Sequence, residues 1–358
     1  MPPSVPTREF EPPEASKFRI LAIDGGGIRG LIPALLLTRL EELIASRSPG
    51  ATLASSFDLI AGTSTGGLLA LALATPDDEG APVMTAADTV RMYQGEEARE
   101  IFARPPLERL PVIDSLSELA DPKYGLDGLR AVLGRHFGEA KLADALTALL
   151  ITAYDMYGRS PRFMKPWQED AAEITAVEAG LATAAAPTYF PALRLGEAAL
   201  VDGGVFVNNP TIAATIEALK RIEGEPLRVE DLLVVSLGTG QHERLGYDAE
   251  RVSGWGALGW VLPKDGEPPL IAAMLDGQSD SSDHWAHILL NHDPGTRPAR
   301  GEQMGAGPRY YRYQVELPEP LPMDGVDSDQ IERLTECGNA LLEARAAELE
   351  ALAEVLTA

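Results

Sequence analysis

The chain has 358 residues, 45% of them hydrophobic and 23% charged, which is enough for a sizeable core in one large domain or two small ones. Its net charge of −24 disfavours nucleic acid, and also anionic lipid surfaces, as general partners. No apolar run approaches the roughly 18 residues that span a bilayer, and a single cysteine, Cys337, excludes an internal disulfide framework.

The first third of the chain predicts two strand–turn–helix units. Residues 1–16 are rich in Pro and Glu and show no periodicity, which predicts a disordered lead-in. A buried strand is predicted at 18–24, followed by glycines and by a helix over 31–44 with apolar residues at helical spacing. A second strand is predicted at 57–61. The helix that begins at Leu68 is apolar on every side, which is typical of a fully buried helix.

The rest of the chain continues this alternation. Strands are predicted at 148–154 and 231–237, a late edge strand at 310–315, and helices at 174–186, 211–222 and 328–356. Alternating strands and helices predict an α/β protein with a mainly parallel sheet covered on both faces. Because no linker divides the chain, we expect one domain over 17–320, with 321–358 as a helical segment packed on it.

The first glycine cluster, Gly-Gly-Gly-Ile-Arg-Gly at 25–30, stands between a predicted strand and a predicted helix. Its spacing fits a dinucleotide-binding turn, but that interpretation requires an acidic side chain at the tip of the second strand, where the sequence has Gly-Thr-Ser. The alternative is an oxyanion hole, since Gly25, Gly26 and Gly27 can point backbone N–H groups at one spot. Arg29 would either add a fixed charge beside this loop or pin it through a salt bridge.

The second motif, Gly62-Thr63-Ser64-Thr65-Gly66, fits the G-x-S-x-G nucleophile elbow. A serine between a strand and a helix lies in a strained turn, and small neighbours on both sides avoid steric clashes. The predicted strand before the motif and the buried helix after it provide this context. We therefore predict that Ser64 is a nucleophile, with Thr63 and Thr65 as turn and cap residues.

Two arrangements could accept the proton of Ser64. One is a triad in α/β-hydrolase chain order, which combines Asp202 with one of three histidines (His284, His287 or His292). The other is a dyad in which Asp202 acts alone. The dyad fits better, because Gly203 and Gly204 make a slim turn that can approach the serine, and because a partly dry site would raise the pKa of Asp202. A polar helix face explains the histidines, whose spacing predicts no metal site.

Together these segments resemble the patatin-like phospholipases, in their bacterial branch. Four further blocks are similar to that family, at 150–155, 184–191, 235–240 and 276–280, so the resemblance covers about residues 18–315. It implies a three-layer α/β/α fold and a catalytic domain over 17–320. Family members often carry Ala at the position of Gly204, and glycine there is a permitted variant.

The resemblance also implies the chemistry. Ser64 would be the nucleophile, Asp202 the base without help from histidine, and Gly25 to Gly27 the oxyanion hole. The serine would take an acyl group from a glycerophospholipid or related lipid ester, and water would then release it. No metal and no organic cofactor are expected. An acyltransferase, in which an alcohol replaces water, stays open, as do a nucleotide-binding and a non-catalytic protein.

A broken apolar stretch between 252 and 275 includes Trp255 and Trp260. It could rim the opening through which a lipid enters or dip into a membrane surface, or it could pack as core behind the sheet. We take the two tryptophans as candidates for the lipid opening. The expected partner is a lipid substrate at a membrane surface, contacted transiently and without a transmembrane segment. The long C-terminal helices could form a homodimer, and some bacterial relatives need an activating ligand.

The cellular location is predicted from the start of the chain. Residues 1–6 contain no apolar core of a signal peptide. We therefore expect a cytoplasmic protein that meets membranes only from their surface.

Overall fold

The computed structural model describes residues 3–5, 8, 10–14, 16–104, 121–220, 226–242, 247–262, 268–291 and 307–358. Its strands are β1 (Phe18–Ile23), β2 (Leu59–Gly62), β3 (Ala148–Asp155), β4 (Ser160–Met164), β5 (Leu193–Leu195), β6 (Ala198–Asp202), β7 (Leu232–Leu237), β8 (Gln241–His242), β9 (Tyr310–Tyr313) and β10 (Glu316–Leu317). Strands and helices alternate along most of the chain, as the sequence predicted.

Eight of these strands form one sheet, in the order β5-β6-β3-β2-β1-β7-β9, with β4 paired to β3. The strands from β3 to β9 along this order pair in parallel. On the other side, β3 pairs antiparallel with β4 and β6, and β6 with β5. The predicted mainly parallel α/β sheet is therefore confirmed, and β9 occupies the edge where a late strand was expected.

The helices are α1 (Leu31–Arg47), α2 (Leu53–Ser56), α3 (Thr65–Ala74), α4 (Ala86–Gln94), α5 (Glu96–Ile101), α6 (Leu126–Phe137), α7 (Glu169–Ala172), α8 (Ala176–Thr183), α9 (Thr211–Leu219), α10 (Ala249–Ser253), α11 (Ala257–Val261), α12 (Pro269–Asn291), α13 (Ser328–Ala344) and α14 (Ala346–Leu356). Within the described residues, none of them is both long and apolar enough to cross a membrane.

Two hydrophobic cores lie on opposite faces of the sheet. Side chains alternate between the faces along a strand, so Ile20 and Val234 join one core while their neighbours Leu21 and Val235 join the other. The first core is closed by α9 and α12, and the second by α1, α3, α8, α13 and α14. This arrangement confirms the three-layer α/β/α fold.

The C-terminal segment forms two helices rather than one. Asp327 caps α13, since its carboxylate accepts the N–H of Gln330 at 3.0 Å. The chain turns at Arg345 before α14 begins. Both helices pack against α1 and bury their apolar faces there, so core packing already uses the surface that a homodimer was expected to use.

The described residues of the lead-in contact the last strands of the chain. Ser4 bridges to Glu316 of β10, and the Tyr311 hydroxyl of β9 donates to the Glu11 carbonyl at 2.7 Å. Arg8 reaches further, to the buried carboxylate of Glu348. These contacts cover part of the outer side of β9, which is an edge strand, and the disorder expected over residues 1–16 stays a prediction.

Candidate active site

Ser64 lies in a sharp turn between β2 and α3. Its backbone has φ 54° and ψ −125°, a strained conformation for a residue other than glycine. A Cβ placed on Gly62 would come within 2.2 Å of the Gly66 carbonyl oxygen, and one on Gly66 within 2.2 Å of the Ile23 carbonyl oxygen. The two glycines are therefore required by steric contact, and the turn holds the serine clear of its neighbours.

Strand register brings Asp202 to the same edge of the sheet. Gly62, at the end of β2, pairs with Ile151 of β3, and Asp202, at the end of the antiparallel β6, pairs with Ala153. The two turns that follow β2 and β6 consequently meet over residues 151–153 of β3. The Ser64 side chain lies close enough to the Asp202 carboxylate there to lower its pKa, and both residues line the same cavity.

The Asp202 carboxylate is 4% exposed, and this burial raises its pKa to about 7. The nearby Ser64 side chain and the N–H of Gly204, which donates to Oδ1 at 2.7 Å, act against the rise. A carboxylate with a pKa near neutrality is a better proton acceptor than a solvated one. Burial thus equips Asp202 to act as a general base at physiological pH.

Three threonines form hydrogen bonds that connect the two turns with β3 and with α8. The Thr152 hydroxyl of β3 donates to Thr63 Oγ1 at 2.8 Å, and Thr63 in turn donates to the Val207 carbonyl at 2.7 Å. Thr183, at the end of α8, accepts the N–H of Ser64 at 2.9 Å. The predicted turn role of Thr63 is therefore visible as a link between the serine turn and the chain that follows Asp202.

The glycine loop that follows β1 presents only part of its backbone to the site. The N–H of Gly25 donates to the Asn208 carbonyl at 3.1 Å, so it is not available to an oxyanion. Gly26 and Gly27 line the cavity that contains Ser64. Gly27 begins a short 3-10 turn, whose first N–H groups have no partner within the turn. The predicted oxyanion hole is thereby narrowed from three glycines to two.

Distant residues hold this loop in place. Both terminal nitrogens of Arg312, on β9, donate hydrogen bonds to the Asp24 carboxylate, at 2.9 and 2.5 Å. Both side chains are buried. The Thr239 hydroxyl donates to the Gly25 carbonyl at 2.7 Å. Burial raises the pKa of Asp24, and the guanidinium of Arg312 opposes that rise. The loop therefore depends on a desolvated ion pair from the edge of the sheet.

Arg29 attaches the loop to the segment that precedes α13. Its Nε donates to the Leu321 carbonyl at 2.6 Å, and the N–H of Ile28 donates to the Met323 carbonyl at 2.8 Å. Arg29 is itself buried. Of the two roles predicted for Arg29, these contacts favour pinning the loop, by a hydrogen bond to a carbonyl.

A cavity of about 1000 Å³, its open mouth included, surrounds Ser64 and Asp202. Most of its wall is apolar and comes from α3, α4, α5, α6, α12 and the turn after α8; it includes Leu68, Met92, Ile101, Phe102, Leu129, Phe190, Ile271, Met274 and Leu275. The wall suits a hydrocarbon chain, and Ser64 and Asp202 line the same cavity.

The comparisons with known proteins agree with this geometry. A family model described as patatin-like phospholipase matches residues 21–215. Patatin-like protein 2 of Arabidopsis thaliana is 36% identical over 301 residues, which cover 78% of this chain and 74% of the relative. The chain belongs to the patatin-like phospholipase family. The resemblance inferred from the motifs is confirmed at that level.

Other relatives extend the comparison. Patatin-like protein 1 of Oryza sativa subsp. indica is 35% identical over 306 residues, covering 78% of this chain and 73% of the relative. Among solved structures, VipD from Legionella pneumophila covers 97% of this chain and 71% of its own, with a TM-score of 0.44 and 12% identity. Because the two sequence relatives are plant proteins, the bacterial branch stays a prediction.

The described histidines proposed as alternative partners of Ser64 do not line the cavity of this patatin-like chain. His284 and His287 are on α12, where His287 is buried, and neither is among the described residues that line the cavity. His292 falls outside the described residues. In the part of the chain that the structure describes, no group of three His, Cys, Asp or Glu side chains is placed to hold a metal ion.

The two tryptophans proposed for the lipid opening do not line the described cavity. Trp255 packs between Tyr247 and Trp260, with ring centroids 4.8 and 5.3 Å apart. Trp260 is on α11, which contacts α12, and α12 supplies part of the cavity wall. They therefore neighbour the cavity wall without forming it.

Sequence reasoning missed several residues of the site. Asn208, Thr183, Thr239 and Arg312 hold the loop or the serine turn, yet none belongs to a short motif around Ser64 or Asp202. A partial signal existed for Thr239, which lies in a block already recognised as similar to the patatin-like family. An Arg among three tyrosines on a predicted edge strand is the signal that could have identified Arg312, because a charge between apolar side chains requires a partner once they are buried.

Proposed function

We propose that the protein is a serine lipid acyl-hydrolase of the phospholipase A type, which cleaves acyl esters of glycerophospholipids or related lipids at a membrane surface. The observation that carries the proposal is the meeting of Ser64, on a strained elbow, with the buried carboxylate of Asp202 at the end of an apolar cavity. A binding protein requires a cavity but neither a strained serine nor a carboxylate with a raised pKa.

The reaction would proceed by acyl transfer to the serine. Asp202 accepts the proton of Ser64 Oγ while that oxygen attacks the ester carbonyl. The tetrahedral intermediate collapses and the bond to the leaving alcohol breaks. Asp202 then gives the proton to the oxygen of that alcohol. Water then attacks the acyl-enzyme, with Asp202 again accepting a proton, and the fatty acid leaves as Ser64 regains its hydrogen.

Charge on the carbonyl oxygen would be stabilised by the N–H groups of Gly26 and Gly27. Both glycines line the cavity beside Ser64. Removing one such donor typically reduces the rate about 100- to 1000-fold. The loop must therefore be rigid, which is consistent with its contacts to Asn208, Thr239 and Met323.

The cavity wall favours a lipid acyl chain as the group that is bound. Phe102 and Phe190 lie on it, and with Tyr124 they form an aromatic cluster with centroids 5.4 to 6.0 Å apart. Apolar surface of this kind gains free energy when it leaves water with a hydrocarbon chain. A sugar or nucleotide would find few polar partners there.

The experiment compares soluble and vesicle substrates. Hydrolysis of a short-chain p-nitrophenyl ester and of mixed phospholipid vesicles would be measured, in the presence of a chelator, for the wild type, Ser64→Ala and Asp202→Asn. We expect both variants to lose at least about 1000-fold in kcat. The control replaces His284, His287 and His292 by Ala together, and we expect it to keep its activity.

Each outcome has a distinct meaning. Loss of activity in the histidine variant, with folding intact, would replace the dyad by a triad. Transfer of the acyl group to an added alcohol in preference to water would make the protein an acyltransferase. Full activity of Ser64→Ala would refute the proposed nucleophile. Analysis of the vesicle products would identify the bond that is cut.

A further inference from the structure

A patch of exposed apolar side chains lies next to the cavity wall. It comprises Leu258, Trp260 and Val261 of α11 and Leu270 of α12, and is called the apolar shelf below. We propose that the apolar shelf is the surface on which the protein docks to zwitterionic lipid. The inference deepens the proposed function, on which it rests, by naming the surface and the lipid chemistry.

The four side chains of the apolar shelf are well exposed. Leu258 is 63% exposed, Val261 46%, Leu270 42% and Trp260 37%. Single exposed apolar residues are common, but a cluster of large ones marks an interaction site. These four come from two consecutive helices that contact each other, so they form a cluster rather than scattered positions.

Charge is absent from the two stretches that carry the apolar shelf. Residues 254–262 and 268–275 contain no Asp, Glu, Lys or Arg, whereas the five residues between them include Lys264, Asp265 and Glu267. A protein of net charge −24 is repelled by an anionic membrane. The apolar shelf can contact a membrane without electrostatic repulsion only if the lipids carry no net charge. We therefore take a zwitterionic lipid surface as its partner.

The apolar shelf is continuous with the cavity through α12. Ile271, Met274 and Leu275 of its first turns line the cavity that holds Ser64, whereas Leu270 of the same turns faces outward. Neighbouring residues of a helix point about 100° apart, so this end of α12 is apolar on both its inner and outer sides. A lipid chain could therefore pass from a membrane into the cavity along apolar surface without entering water.

Aromatic packing supports the apolar shelf from behind. Trp255 contacts the ring of Trp260 edge-on at 88°, and Tyr247 contacts Trp255 at 67°. Tryptophan is favoured at membrane interfaces because its ring is apolar and its N–H is polar. Trp255 thus holds Trp260 in place, and of the two tryptophans Trp260 is the one that reaches the lipid.

The test uses two variants that add the same charge at different places. Leu258→Glu/Val261→Glu alters the apolar shelf, and Ile216→Glu/Ile288→Glu alters exposed residues on α9 and on the later turns of α12. Each is made in the full chain with Ser64→Ala for binding and with Ser64 intact for activity. Binding is measured by flotation with phosphatidylcholine vesicles and with vesicles containing phosphatidylserine. Bromine-labelled acyl chains report by quenching whether Trp260 enters the bilayer, with Trp260→Phe as the reference.

We expect the shelf variant to lose at least tenfold in vesicle partitioning and in vesicle hydrolysis, with hydrolysis of a soluble short-chain ester within about twofold of wild type. The control variant should match the wild type in all three, and phosphatidylserine should weaken binding. Equal loss in both variants, unchanged binding of the shelf variant, or stronger binding to phosphatidylserine would overturn the proposal. A dimer that dissociates in the shelf variant, without vesicle binding, would assign the surface to a second copy of the chain.

Failure of this inference is distinguishable from failure of the proposed function. If the wild type does not bind phosphatidylcholine but hydrolyses the soluble ester through Ser64, docking is refuted and the dyad stands. If the wild type binds vesicles through the apolar shelf but hydrolyses no ester, docking stands and the proposed chemistry fails.

Discussion

The serine turn and the glycine loop lie side by side in the cavity but are positioned in different ways. The backbone conformation of Ser64 is allowed by its own neighbourhood, since Gly62 and Gly66 permit the turn and β2 and α3 flank it, and Thr183 adds a contact from far along the chain. The glycine loop is held from far along the chain, by Asn208, Thr239 and Met323. A short motif thus predicts the serine turn, although not all of its contacts, whereas the glycine loop depends on several distant parts of the chain.

The two regions also contain buried carboxylates in different electrostatic environments. Asp202 is buried without a cation and responds by a raised pKa. Asp24 is buried with Arg312, which donates two hydrogen bonds to it and a third to Ser236. The first carboxylate is suited to exchange a proton, and the second is suited to stay fixed. The same residue type therefore serves as a base in one region and as an anchor in the other.

Breaking the anchor should have the largest effect. Arg312→Met leaves Asp24 buried without its cation, which typically reduces the free energy of unfolding by about 3–5 kcal/mol. If the loop shifts, kcat/KM on a soluble ester should also fall about 100-fold. Thermal or urea unfolding and ester kinetics measure the two effects. The matched control is Arg333→Met, which removes an exposed pair with Glu319 and should change stability by less than about 1 kcal/mol.

A double variant separates positioning from stability alone. Asp24→Asn with Arg312→Met removes both charges, so no buried charge is left unpaired and stability should recover in part. If Arg312 positions the loop, kcat stays low in the double variant although the protein is more stable. Recovery of kcat in step with stability would show that the ion pair matters only for folding.

The sequence predicted the regions whose structure is local. The strands β1, β2, β3, β7 and β9, the elbow around Ser64 and the turn after Asp202 each follow from a short pattern of apolar residues and glycines. The short strands β4, β5, β6, β8 and β10 were not predicted. The sheet order and the meeting of the two turns do not follow from such patterns. They depend on β6 running antiparallel to β3, which no short segment specifies.

The residues that sequence reasoning missed share a physical cause. Asn208, Thr239 and Arg312 act through contacts with residues 183 to 288 positions away. Their importance is a property of burial, which is visible only once the chain is folded. The lead-in shows the same limit, since its Pro and Glu content does not predict the contacts that Arg8 and Glu11 make with β9.

The raised pKa of Asp202 predicts that the rate of ester hydrolysis depends on pH. The backbone N–H groups of the glycine loop do not titrate and add no such dependence. Because the ionised carboxylate is the base, kcat/KM on a soluble ester should fall about tenfold for each pH unit below 7. A rate profile between pH 5 and 9 measures this. A flat profile across that range would contradict a role for Asp202 as the proton acceptor.

The raised pKa of Asp202 also makes the free energy of unfolding depend on pH. The folded-state pKa of about 7 lies above the ordinary 3.8, so the native chain holds this proton more tightly than the unfolded chain does. The resulting stabilisation is fully present below about pH 3.8 and is lost as the pH rises through 7. Asp202→Asn should therefore be more stable than the wild type at pH 8, by roughly 4 kcal/mol, with the difference shrinking at pH 5. Urea unfolding at both pH values tests this, and an equal difference at both would refute it.

The smallest effect is expected from a substitution at Gly204. Its neighbour Gly203 has no room for a side chain. A Cβ on Gly203 would lie 2.0 Å from Thr152 Oγ1 and 2.8 Å from the Thr152 backbone carbon, so Gly203→Ala should displace the Asp202 turn and abolish most activity. A Cβ on Gly204 would lie 3.0 Å from Leu275 Cδ2 and 3.2 Å from Asp202 Oδ1. Since the end of Leu275 can move, Gly204→Ala should keep kcat/KM within about threefold of wild type. Ester kinetics on the two variants decide the matter, and a large loss in Gly204→Ala would mean that the Asp202 turn, like the glycine loop, is fixed by contacts from distant parts of the chain.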